Sequence, residues 1–381
     1  MHDTPVPSSN ILSSFQMASV AMRYSEFVPR AYNLARTLGF KKGKIMPSRA
    51  FCSDESQGYP IILIAKHFGT FPFNHGLVGG VVASDRHGPY SQHGEDLVII
   101  QASHVGYNPE SKKFGVYRRL QTKQQIESDN CGKICHSIQW YMNEYEFACC
   151  NIYLKKDNDA YKISVDNQLL QIERKQGLIL KLNRLLKLNN EGKPDPEQSL
   201  STSKIFSVSE ELQRYLEPLN WSNGHSEQIG AHLQSDMFFF RRKIEFISEG
   251  SNRMESNLIA MMPYIVTSKW PALTAAQINT QVEFDSAFRA IVQQTAYKGR
   301  NILFLSGLNI DISPKEGQLF PLTKFIPWAA FYQDKDNNHQ TWEQLEVFKR
   351  LAQQPVKNPD QVDLETAIAS MRSEKEIRLP F

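Results

Sequence analysis

The sequence predicts an α/β protein built on a mainly parallel sheet flanked by helices. Three observations predict it: strand and helix patterns alternate, the connections are too long for hairpin turns, and Asp96-Leu97-Val98-Ile99-Ile100-Gln101-Ala102 is a continuous apolar run of the kind seen in strands covered on both faces. The chain has 381 residues, 41% hydrophobic and 22% charged, with Gly 20 and Pro 19, which is an ordinary globular composition. Its formal net charge is only +3 and no long basic run occurs, so neither nucleic acid nor an anionic membrane is expected as a partner.

Along the chain, Tyr32 to Leu38 reads as helix and runs out at Gly39. Ile45 to Phe51 then reads as a short strand that delivers Cys52 and Asp54 to a loop. Pro60 to His67 reads as a strand or buried segment, followed by the glycine-rich HFGTFPFNHGLVGGVV, whose glycines allow tight backbone paths. That loop lacks a following Lys-Ser/Thr and is a poor phosphate cradle. The strand from Asp96 is expected to end near Ser103-His104. After a polar excursion over 107–130, Cys131-Gly132 opens a helix with Ile134, Ile138, Tyr141, Met142 and Tyr145 at helical spacing.

Further on, a helix is expected around Leu169 to Leu188, then a long mobile loop over NNEGKPDPEQSLSTSK. Helical patterns recur around Phe238 to Ile247, Met254 to Ile265 and Ala275 to Tyr297, and strands are expected at Ile302 to Leu305, Leu308 to Ile312 and Phe325 to Phe331. The expected organisation is an N-terminal segment (1–30), one α/β domain (31–350) with an inserted or covering region at about 151–235, and a polar tail (351–381). The longest apolar runs fall well short of the roughly 18 residues of a membrane helix. No basic segment leads into an apolar one at the N-terminus, so a cytoplasmic location is expected.

Five cysteines are too few for a disulfide scaffold. The neighbours Cys149 and Cys150 read as buried thiols. Cys52 and His104 are expected at strand C-termini, where ligands of parallel sheets collect, and Cys131 at a helix N-terminus, which favours the thiolate. Two thiolates and one imidazole have the composition of a catalytic zinc set with a fourth position open. The residues alone leave that reading beside a plainer one, packed thiols and a lone polar histidine.

Cys52-Ser53-Asp54-Glu55, the glycine-rich HFGTFPFNHGLVGG, the strand leading to Ser103-His104-Val105-Gly106, Cys131-Gly132 and the later NILFLSGLNIDIS with FPLTKF together resemble the limiting-CO₂-inducible protein B/C family. These are distant relatives of β-class carbonic anhydrases, sometimes called the theta class. The resemblance spans about residues 45 to 145 and 299 to 326. It implies a β-carbonic-anhydrase-like fold, zinc held by Cys52, His104 and Cys131, and Asp54 beside the open position. The implied activity is reversible hydration of carbon dioxide to bicarbonate by a zinc-bound hydroxide, with Asp54 orienting it. The implied assembly is a homodimer.

In β-class enzymes an arginine two residues beyond this aspartate pairs with it and keeps it off the metal; here that position is Ser56. Arg49 and Arg86 are the candidates to replace it, with Arg86 favoured because it follows the glycine-rich segment. Phe68, Phe71 and Phe73 are candidates for an apolar wall. One of His67, His75, His87 and His93 is a candidate proton shuttle, since imidazole titrates near neutral pH. The missing arginine also keeps open a catalytically silent zinc module acting in bicarbonate sensing or assembly. A zinc hydrolase acting on a larger electrophile is a third reading.

Overall fold

The computed structural model describes residues 15–77, 79–80, 96–118, 127–158, 160–244, 253–315, 317–318, 320–373 and 375. The chain divides into two compact units, one formed by Met1–Ile134 with Ala276–Phe381 and the other by Cys135–Ala275.

The first unit carries the central sheet. Its strands are β1 (Met22–Arg23), β2 (Ile45–Ala50), β3 (Phe73–Asn74), β4 (Asp96–Asn108), β5 (Ile302–Ile312), β6 (Leu322–Gln333) and β7 (His339–Glu343). The sheet order is β1-β6-β5-β4-β2-β3, with β7 on β6 and Lys113–Phe114 on β4. The central neighbours β5, β4, β2 and β3 are all parallel, whereas β6 runs antiparallel to β5, β1 and β7. The fold is therefore α/β, with a parallel centre and an antiparallel flank.

Continuous apolar sequence in β4 and β5 follows from cover on both faces. Val98, Ile100, Ala102, Leu303 and Leu305 pack with Phe27, Val28, Ala31 and Leu34 of helix α1 (Tyr24–Thr37) and with Leu63 and Ile64 of α2 (Gly58–Phe68). Leu97, Ile99, Ile302 and Phe304 point the other way, against Phe284, Ala287 and Ile291. The period of two in the strands thus sorts one apolar run into two cores.

The segment expected as a strand or buried stretch at Pro60–His67 is helix α2. A run of β-branched residues reads as strand locally, yet only one side is needed for the core: Leu63 and Ile64 are buried while Ile62 is 37% exposed. Strand β4 runs on past His104 to Asn108, because Ile312 and Phe114 pair with Tyr107 and extend it. β2 stops at Ala50, opposite Gln101, so His104 still lies beyond the carboxyl end of its neighbour.

The second unit includes most of helix α3 (Gly132–Asn151) and a five-stranded antiparallel sheet, in the order 198–199, 203–207, 160–166, 152–157, 226–228. Ile152, Leu154, Tyr161, Ile163, Val165 and Phe206 are buried in it. The covering region expected at about 151–235 falls within this unit. The helix expected around Leu169–Leu188 is instead a strand at Gly177–Leu180 with one short turn at Leu182–Leu185, and Phe238–Arg241 is its antiparallel partner rather than a helix. Gly177–Leu180 is buried throughout, where period cannot tell a short strand from a helix, and Phe238–Arg241 buries fully only Phe238, too short a pattern to separate the two. Cys149 is half-buried and Cys150 exposed, so the pair does not form the buried thiols expected. The polar stretch from Asn189 folds back through a turn closed by Asn189 and Lys193. No described helix is long and apolar enough to cross a membrane.

Candidate metal centre

Three segments of the first unit converge beyond the end of β2. Cys52 follows β2 by two residues, His104 projects from β4, and Cys131 immediately precedes α3. The two sulfurs and one ring nitrogen of His104 lie within 4.8 Å of one another, and all three residues are buried. They form the one such group found among the described residues. The sulfurs are 3.9 Å apart and the thiols are free.

Gly76, Gly79 and Gly80 of the glycine-rich segment lie beside this point. Gly79 N–H donates to Cys52 Sγ at 3.1 Å. A Cβ on Gly80 (φ +77°) would stand 2.4 Å from Ala102 O, and one on Gly76 would stand 2.5 Å from Phe51 O. Only glycine allows the backbone at these two positions to lie this close to the end of β2 and to the middle of β4. The Cys52 thiol is held below its ordinary value, first by its contact with the Cys131 thiol and then by His104 and the Gly79 N–H, all working against burial. Cys131 is pushed up, chiefly by the same contact with Cys52 and by burial. Burial alone would lower His104, but the two sulfurs and Asp311 outweigh it and raise it well above the ordinary value.

Asp311 on β5 is the functional residue that sequence reasoning missed. Parallel pairing sets Asn309 beside His104, and Asp311 reaches back so that its Oδ2 lies 2.8 Å from His104 Nδ1. Nε2, fully buried and without a hydrogen-bond partner, is the nitrogen left for a ligand. An orphaned buried imidazole nitrogen beside two thiols suits a transition metal, because the metal would satisfy all three atoms. Asp311 then has the place of a carboxylate behind a metal-bound histidine. A signal for it was present, an acidic residue between Ile310 and Ile312 in a predicted strand.

Asp54 caps the short helical turn Glu55–Gln57, with Oδ1 accepting from Ser56 N–H at 3.0 Å and from Asn130 Nδ2 at 3.3 Å. Ser56, at the position expected to carry arginine, turns its hydroxyl to Asp311 Oδ2 at 2.9 Å. Arg49 is half-buried in β2 near His75, whose pKa it lowers. Arg86, His87 and His93 lie outside the described residues. Of the expected apolar wall, Phe68 packs edge-on to Tyr32 at 5.3 Å, in the core, and Phe71 is 69% exposed.

His67 and His75 do not fit the shuttle role. Both are buried, and burial lowers His67 to about 4 and His75 to about 3, so neither titrates near neutral pH. Asn358 donates to His67 Nδ1 at 3.2 Å, and the Ser48 hydroxyl bonds His75 Nδ1. The unfolded chain binds these protons more readily, near the ordinary value of 6.5. The stability tied to the neutral rings is therefore complete above about pH 6.5 and is lost as pH falls toward about 4 for His67 and about 3 for His75. Urea titrations of the metal-free protein should show a lower midpoint at about pH 5 than at about pH 7.5, with a smaller difference in His67→Gln. Equal pH dependence in the two proteins would refute this.

No protein-family model and no curated protein matches the chain. Among solved structures, it is similar to PtLCIB4, a homolog of the limiting CO2-inducible protein LCIB, at 12% identity and a TM-score of 0.47, over 88% of this chain and 98% of that one. It is also similar to the limiting CO2-inducible protein LCIB, at 11% identity and a TM-score of 0.46, over 89% of this chain and 99% of that one.

Proposed function

We propose that the chain is a distant member of the limiting-CO₂-inducible protein B/C family and hydrates carbon dioxide reversibly to bicarbonate, using zinc held by Cys52, His104 and Cys131. The observation that carries this reading is the buried convergence of two thiols and one imidazole nitrogen, with Nδ1 of that imidazole engaged by Asp311. A Cys₂His donor set leaves a fourth position free, as catalytic zinc sites do. Zinc so held supplies Lewis acidity that makes water a competent nucleophile at neutral pH.

The protein's own groups do the rest. Cys52 and Cys131 contribute anionic sulfur, and the Gly79 N–H keeps Cys52 Sγ oriented. Asp54, two residues past Cys52, is the acceptor for the hydrogen of the attacking water. Its Oδ1 is already held by Ser56 N–H and Asn130, so the carboxylate meets the substrate in a set orientation.

Stopped-flow hydration of carbon dioxide by metal-quantified protein tests the proposal. About one zinc per chain is expected, with activity that rises with pH. Protein that carries zinc yet hydrates nothing up to about pH 9, where even aqueous zinc-bound water ionises, supports the second reading, a catalytically silent module. The observation favouring that reading is the Ser56 hydroxyl, committed to Asp311 at the position where β-class enzymes place an arginine.

A further inference from the structure

A chain of buried hydrogen bonds leads away from the metal centre, and its donors and acceptors can be assigned one by one. Tyr24 Oη donates to Asn309 Oδ1 at 2.8 Å, and Asn309 Nδ2 donates to Gln57 Oε1 at 2.7 Å. Gln57 is left with Nε2, which donates to Asp311 Oδ2 at 2.8 Å. Ser56 Oγ donates to the same oxygen at 2.9 Å, and Thr323 Oγ1 to Asp311 Oδ1 at 3.1 Å. Tyr24, Ser56, Gln57, His104, Asn309 and Asp311 are all 0% exposed, so no bulk water can substitute for a missing partner.

Ser56, Gln57 and Thr323 each give a hydrogen to Asp311, as an ionised carboxylate requires. The remaining contact, His104 Nδ1 at 2.8 Å, must then also be a donor. In the neutral ring that metal binding requires, a proton held on Nδ1 leaves the lone pair on Nε2, the atom without a hydrogen-bond partner. Gln57 Nε2, 3.2 Å from Nδ1, donates into the same carboxylate oxygen and reinforces the arrangement.

We propose that Asp311 is the positioning residue of the metal centre: held by Ser56, Gln57 and Thr323, it fixes the ring of His104 and makes Nε2 the metal-binding atom. The proposal rests on the metal-binding part of the proposed function and needs none of its catalytic part. It also gives Ser56 a use, since an arginine side chain at that position could not make the hydroxyl contact to Asp311.

The test is zinc affinity of the full chain, by competition with a chromophoric chelator, in the wild type, Asp311→Ala and Asp311→Asn. Asp311→Ala is expected to bind zinc about 10–100-fold more weakly. Asp311→Asn offers an oxygen to the same donors and turns its amide to the Thr323 hydroxyl, so it is expected to fold and to recover most of that loss. The visible bands of the cobalt-loaded protein should still shift in Asp311→Asn, because the charge behind the imidazole is gone, while the unfolding midpoint of the metal-free protein stays with the wild type. Unchanged affinity in Asp311→Ala overturns the proposal, and so does Asp311→Asn with wild-type cobalt bands, a readout that survives if the alanine variant does not fold. Wild type that binds zinc but hydrates nothing overturns the proposed activity and leaves this affinity series to decide on Asp311. Wild type without zinc affinity overturns both.

Discussion

Cys131→Ala is expected to weaken zinc binding about 100–1,000-fold. Structural zinc sites are worth about 10–16 kcal/mol over their four ligands, so one thiolate accounts for roughly 3–4 kcal/mol, two to three decades in affinity. No neighbour can replace it within the trio, since Cys52 and His104 are already committed. Cys131 is 1% exposed, so the variant also leaves a small void where water has little access. Chelator competition measures the affinity directly. A variant that keeps wild-type affinity would show that Cys131 is a packed thiol and that the metal reading is wrong.

Asp54→Ala is expected to separate catalysis from metal binding. If Asp54 accepts the hydrogen of the attacking water, its loss should cost about 100-fold or more in kcat, the usual worth of a positioned general base, with zinc content unchanged. The outcome that sinks this role is equally concrete. If Asp54→Ala loses zinc along with activity, the carboxylate is a metal ligand and the site is closed. Because the Asp54 carboxylate caps the turn at Glu55–Gln57 through Ser56 N–H, a stability loss of about 1 kcal/mol accompanies the substitution. Unfolding curves should be run beside the kinetics.

Cys131→Ala and Asp54→Ala act on residues that the sequence already singled out, whereas Asp311 came only from the folded chain. Cys52, His104 and Cys131 stood out because each is a chemistry-bearing residue at the end of a recognisable pattern, an apolar strand or a helix start, whereas Asp54 gained its role from the family resemblance. The α/β class was legible for the same reason, since long buried strands of a parallel sheet write a continuous apolar run into the sequence.

What local pattern could not decide depended on partners far along the chain. Pro60–His67 carries a strand-like composition, yet the core against α1 needs one buried side, and a helix supplies it. Gly177–Leu180 and Phe238–Arg241 each look helical alone and are strands because they pair with each other. Asp311 is 207 positions from His104, and its role follows from a register, Asn309 opposite His104, that only the pairing of β4 with β5 establishes. The sequence by itself determined which side chains are able to bind a metal, because softness, charge and burial tendency belong to residue types. The tertiary structure decided which nitrogen of His104 is free to do so, because that depends on where a buried carboxylate is held and on the absence of water to replace it.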